Sequence, residues 1–155
     1  MRAYTLNIGD VITSTRPAHY TCYGLGSCIG LFIQDRATGM TAGAHIFLPE
    51  NESAPGDRTK FYGAGSAITE ILSRFKSMGS NLHMLRAKIA GGANVVGVNV
   101  SVGQRNAESV MRHLMMNRIF VAGSDVGGTQ SRTTVFETET GALKVHLPGQ
   151  KEYRI

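Results

Sequence analysis

The stretch Cys28-Ile-Gly-Leu-Phe-Ile-Gln-Asp35-Arg-Ala-Thr-Gly39-Met40-Thr-Ala-Gly-Ala-His45-Ile-Phe-Leu48 decides how this chain reads. Two apolar runs flank Arg36-Ala-Thr-Gly39, and a four-residue loop is a common β-hairpin connection. Pairing Asp35 with Met40 places Ile29 opposite Ile46, Leu31 opposite Ala44 and Ile33 opposite Ala42, an apolar face throughout. The other face then holds Cys28 opposite Phe47, Gly30 opposite His45, Phe32 opposite Gly43 and Gln34 opposite Thr41. A slip of one residue would mix the two sets, so the pattern specifies the register. Cys28 and His45 fall on one face as diagonal neighbours, roughly 7–8 Å apart at the backbone. Gly30, opposite the imidazole, leaves it room.

Outward from the hairpin, two segments carry helical spacing. Ala64, Ala67, Ile68, Ile71, Leu72, Phe75 and Met78 recur at three- and four-residue intervals, and Gly79 ends the run. Ala107, Val110, Met111, Leu114 and Met115 form a second apolar stripe, with Asn106 as its expected N-cap. Further strands are expected at Tyr4–Val11, Ala18–Tyr23, Leu82–Ala90, Ile119–Ala122, Arg132–Thr138 and Ala142–Leu147. Thr140-Gly141 supplies a turn between the last two. Pro49 to Tyr62 reads as a loop. The order implies an α+β fold over residues 1–155: one layered domain, a mixed or antiparallel sheet with two main helices packed on it.

Composition sets limits without naming a function. Nineteen of 155 residues are glycine, against roughly 7% in an average chain. Charged residues reach only 17%, against roughly 25%. A disordered acidic tail, a coiled coil and a collagen-like repeat are excluded. The formal charge of +5 suits an acidic partner, but no helix-turn-helix, finger or RNA-binding signature points to nucleic acid. No apolar stretch suits a signal peptide or a membrane helix, so a cytoplasmic protein without membrane insertion is expected. Two cysteines in a reducing compartment argue against a structural disulfide.

The glycines of Cys22-Tyr-Gly-Leu-Gly-Ser-Cys28-Ile-Gly30 do not fit a dinucleotide fingerprint. Their spacing is Gly24-x-Gly26-x-x-x-Gly30, and a strand follows rather than a helix. Glycines before a cysteine can instead turn the backbone so that the thiol is exposed and amide N–H groups converge, with Gly26 and Ser27 placed to position an oxyanion. A nucleophilic thiol needs a base, and His45 is the nearest candidate. The plainer alternatives remain open here: a small core cysteine and a hydrogen-bonded core histidine. A zinc site from His19, Cys22, Cys28 and His45 lacks ligand spacing.

Leu25-Gly26-Ser27-Cys28 and Ala44-His45-Ile46-Phe47-Leu48-Pro49 resemble the chemoreceptor glutamine deamidase family, CheD, of bacterial chemotaxis. Ala87-Lys88-Ile89-Ala90-Gly91-Gly92-Ala93, Val102-Gly103-Gln104-Arg105-Asn106 and Asp125-x-Gly127-Gly128-x-x-x-Arg132 extend the resemblance in family order. It implies a protein-glutamine amidohydrolase that converts selected glutamines of methyl-accepting chemotaxis receptors to glutamate through a cysteine thioester, with no cofactor. It implies Cys28 as nucleophile, His45 as base, and a third residue at position 22. The family has threonine there and this chain has Cys22, leaving Cys22, Thr21 or a backbone carbonyl to orient His45. The resemblance also allows a CheC-like phosphatase as partner. The competing functions are a non-catalytic chemotaxis adaptor and a receptor glutamyl methylesterase.

Overall fold

A computed structural model describes residues 1–50, 58–95 and 102–155. The hairpin register is the one the apolar pattern requires. Strand β4 (Ile29–Asp35) pairs antiparallel with β5 (Thr41–Ile46), Ile29 opposite Ile46 and Gly30 opposite His45. Around it lie β1 (Arg2–Thr5), β2 (Val11–Ser14), β3 (Ala18–Leu25), α1 (Ala64–Ser77), β6 (Leu85–Gly91), α2 (Val102–Met116), β7 (Phe120–Val126), β8 (Arg132–Glu137), β9 (Ala142–His146) and β10 (Tyr153–Arg154). The fold is α+β, and the ten strands among the described residues divide into two mixed five-stranded sheets. One runs β1-β3-β8-β9-β10 and the other β2-β5-β4-β6-β7.

The second sheet is covered on both faces. Ile29, Leu31, Ile33, Ala42, Ala44 and Ile46 pack with Ile68, Ile71 and Phe75 of α1 and with Val110 and Leu114 of α2. From the opposite face Phe32 and Ala90 pack against Tyr20, Cys22, Phe136, Leu143 and Val145 of the first sheet. The Phe32 ring stacks on Phe136 at 5.3 Å, and the buried Tyr20 hydroxyl reaches Thr41 Oγ1 at 3.0 Å. The helices, one sheet and the other sheet are thus stacked as three layers. The face that reads as mixed in the sequence is the core between the sheets, where Gly43 admits the Tyr20 ring.

Several boundaries differ from the sequence expectation, each for a local reason. Tyr4–Val11 is two strands in different sheets, because the chain turns at Gly9 with φ +86°. Leu82–Met84 is a 3₁₀ turn, so the strand begins at Leu85. Helix α1 keeps its expected face, except that Met78 caps the end and is exposed. Helix α2 begins four residues before Asn106, which is therefore inside the helix and not its cap. Met115, expected in the core, is exposed beside an open apolar groove of about 870 Å³ between α2 and β7. The C-terminal hairpin forms as expected, with Glu137 opposite Ala142. Residues 51–57 of the expected loop lie outside the described residues.

Candidate active site

Gly26, Ser27 and Cys28 carry the chain from β3 in one sheet to β4 in the other. Their carbonyls are all taken. Ala93 N–H donates to Gly26 O at 2.8 Å, Asn106 Nδ2 to Ser27 O at 2.9 Å, and Gly92 N–H to Cys28 O at 2.9 Å. Their amide N–H groups have no acceptor among the described residues. A turn whose carbonyls are tied back and whose amides are unpaired is a concentrated source of positive potential.

The turn is braced from behind by two blocks of the sequence that carry little chemistry themselves. Gly91 and Gly92 both have positive φ, +112° and +65°. A Cβ on Gly91 would overlap the Cys28 carbonyl, and one on Gly92 would lie 2.8 Å from Gly103 O. Gly127 N–H donates to Gly91 O, and Asn94 N–H to Gly128 O, both at 2.9 Å. The buried Arg132 guanidinium in turn holds that second turn by donating to Asp125 and to the Gly127 and Gln130 carbonyls. Arg132, the 127–128 turn, the 91–94 turn and the Cys28 crossover therefore form one continuous support.

Cys28 is half-buried at the end of this crossover, one residue outside the β4 ladder. Burial pushes its thiol pKa up, so at neutral pH the resting group is a thiol rather than a thiolate. His45 lies on β5 and is nearly fully buried. Its Nδ1 is 2.9 Å from Leu6 O. A carbonyl can only accept, so Nδ1 carries the proton and Nε2 of the neutral ring is the basic nitrogen. Burial also lowers the His45 pKa below the ordinary 6.5, against smaller raising effects of Leu6 and Asp10. Its contribution to stability is present above pH 6.5 and is lost as pH falls through the lowered folded-state value. No hydrogen bond joins Cys28 to His45 among the described residues.

Cys22 is fully buried between the sheets. Its Sγ, with Leu25 and Phe32, is among the nearest atoms to the space over Gly30. Gly30 is therefore small for the sake of the facing sheet, where the sequence suggested room for the imidazole. Burial pushes the Cys22 thiol up to about 12, with Thr134, its cross-strand partner, acting in the opposite direction. Thr21 alternates to the other side of β3, where its side chain is half-buried. Its carbonyl accepts Leu6 N–H at 2.8 Å. Of the three ways to orient His45, the backbone carbonyl is the one present, held by the chain Thr21 O, Leu6 N–H, Leu6 O, His45 Nδ1. No sequence signal marks a backbone oxygen, so Leu6 escapes a motif search. Asn106 was visible in a motif but reads there as a cap.

The two thiols differ in accessibility and acidity, which gives a direct check. Iodoacetamide at about pH 8 is expected to modify Cys28 in the folded protein and Cys22 only in denaturant, because the thiolate is the reacting form. Peptide mass mapping reads the site, and modification of folded-state Cys22 would contradict the assigned burial.

Comparison with known proteins shows which family the chain resembles over most of its length. The family model described as "CheD chemotactic sensory transduction" matches residues 47–147. A probable chemoreceptor glutamine deamidase CheD of Desulfitobacterium hafniense is 36% identical over 146 residues, 91% of this chain and 91% of that protein. The chemoreceptor glutamine deamidase CheD of Halalkalibacterium halodurans is 33% identical, covering 97% and 96%. That of Thermotoga maritima is 32% identical, covering 95% and 93%.

Proposed function

Because this chain belongs to the CheD family of chemotactic sensory transduction, we propose that it hydrolyses the side-chain amide of selected glutamines in chemotaxis receptors, with Cys28 as nucleophile and His45 as base. The observation that carries the chemistry is the Cys28 crossover, where a half-buried thiol lies beside amide N–H groups that have no acceptor among the described residues. His45 Nε2 takes the thiol proton as Sγ attacks the glutamine carbonyl carbon. The N–H groups of Ser27 and Cys28 receive the charge that develops on the carbonyl oxygen. The tetrahedral intermediate collapses, the C–N bond breaks, and His45 returns the proton to nitrogen, which leaves as ammonia. Water then attacks the thioester with His45 again as base, releasing glutamate and restoring the thiol.

Both pKa shifts suit this sequence. A raised Cys28 and a lowered His45 keep thiol and imidazole neutral at pH 7, so the base acts during attack rather than in a resting ion pair. Leu6 O holds the ring in the tautomer that leaves Nε2 free. The third position of the family is thereby filled by a backbone oxygen, and Cys22 is assigned a packing role.

The test is mass spectrometry of a purified receptor signalling fragment incubated with the protein. Each glutamine converted should add about 1 Da, while hydrolysis of a glutamyl methyl ester would remove about 14 Da, as the acyl chemistry requires. An unchanged mass would reject hydrolysis of this substrate. His45→Ala should reduce the rate by about 10²–10⁴-fold. The wild-type kcat/KM should fall on the acid side with a midpoint below the ordinary histidine value of 6.5, and a midpoint above it would reject the buried neutral base.

A further inference from the structure

The β4–β5 ladder stops at Ile29 opposite Ile46, although the same register would place Cys28 opposite Phe47. Phe47 N–H instead donates to Tyr62 O at 2.9 Å, and the two strands part just where the candidate nucleophile and base lie. A side chain from the helical layer enters this gap. Asn106, on the second turn of α2 and fully buried, donates from Nδ2 to Ser27 O at 2.9 Å and to Phe47 O at 3.0 Å. Ser27 precedes Cys28, and Phe47 follows His45 by two residues.

We propose that Asn106 is a positioning residue, a side-chain rung that replaces the missing Cys28–Phe47 pair and sets the separation of Cys28 from His45. This rests on the assignment of those two residues above. Two inward-facing carbonyls can be satisfied together only by a group with two hydrogens on one short arm, which the primary amide supplies. The same requirement fixes the amide's orientation, because an oxygen turned toward the two carbonyls would be repelled. Oδ1 is left buried without a partner among the described residues, a cost in stability that the geometry nevertheless retains. Helix α2 can bring so short a side chain into the gap because it lies directly on the 91–94 turn. Gly103 O and Ala107 Cβ are both among the nearest atoms to the space over Gly92. Aspartate, of nearly the same shape, would present only acceptors to two carbonyls, and glutamine is one methylene too long.

The experiment compares wild type with Asn106→Asp, Asn106→Ala and Asn106→Gln. Three readouts are thermal unfolding, kcat and KM on the receptor fragment, and the pH dependence of Cys28 alkylation by iodoacetamide. A misplacement of about 1 Å costs on the order of 10²-fold. The expected result in the folded variants is therefore a kcat lower by about 30–100-fold with KM within about threefold. In the alkylation profile, the inflection that His45→Ala removes from wild type should also be lost. Wild-type kcat and an unchanged alkylation profile in any folded variant would overturn the proposal. So would failure of all three variants to fold, which would make Asn106 a stability residue alone. The alkylation arm needs no substrate. If wild type leaves the receptor fragment unchanged while Asn106 variants still shift the Cys28 profile, the substrate assignment fails and the positioning role stands.

Discussion

Cys28→Ala is expected to lower glutamine deamidation by on the order of 10⁴-fold or more, a loss of the size seen when a covalent catalyst loses its nucleophile. No second accessible thiol is available to take over the attack. The other thiol, Cys22, is fully buried and its pKa is pushed up to about 12, so at neutral pH it offers almost no thiolate. Stability should change little, within about 1 kcal/mol, because Cys28 is half-buried at the end of a crossover and removing one sulfur leaves no enclosed cavity. Cys28→Ser should also be far less active, since a serine hydroxyl is less acidic than a thiol and a weaker nucleophile. The measurement is release of ammonia together with the mass of the receptor fragment. Activity retained in Cys28→Ala with an unaltered unfolding curve would remove the thiol from the mechanism.

Gly91→Ala should be the most damaging change that touches no reacting group. Gly91 has φ +112°, a conformation that residues with a Cβ rarely adopt, and its Cβ would overlap the carbonyl of Cys28. Backbone strain and overpacking each cost about 1–3 kcal/mol, so a loss near 3 kcal/mol or more is expected. For a chain of this size that corresponds to a fall in Tm of roughly 6–12 °C. Relief of the overlap must move the Cys28 carbonyl, and with it the thiol and the unpaired amides, so kcat should fall at temperatures where the variant is folded. Gly39→Ala is the control. Gly39 also has positive φ, +77°, but nothing lies within 4 Å of its added Cβ. It should cost about 1 kcal/mol from strain alone with kcat unchanged. Equal kcat in the two variants would dissociate the 91–92 turn from the active site.

The site was legible in the sequence as far as local pattern reaches. The alternation of Ile29, Leu31 and Ile33 against Ala42, Ala44 and Ile46 specifies one register, and the structure has it from Ile29 to Gln34. Its extension to Cys28, on which the expected pairing with His45 rests, lies one residue beyond the end of the ladder. Helix α1 follows from apolar periodicity in the same way. Asn106 did not follow, because an asparagine ahead of an apolar helical stripe looks like a cap until the residues before it are seen to be helical. Leu6 could not follow at all. Its role belongs to a carbonyl that every residue possesses, delivered to His45 by the turn at Gly9. Cys22 was ambiguous for a related reason, since strand alternation says which side a residue faces without saying what covers that side.

By itself the sequence determined the strand pairing at the centre of the fold and the helical stripe of α1, and it singled out Cys28 and His45 as the pair proposed above for nucleophile and base. These depend on side-chain periodicity of two or 3.6 residues, which is a property of the chain over a few turns or pleats. The tertiary structure decided that the strands form two sheets rather than one, that the second face of β4 is core, and that His45 is held by Leu6 O. It also decided that a helical asparagine bridges the two strands beside Cys28. Each of these is a contact between segments about 20 to 100 residues apart, and its energy comes from burial and hydrogen bonds that exist only once the layers are stacked.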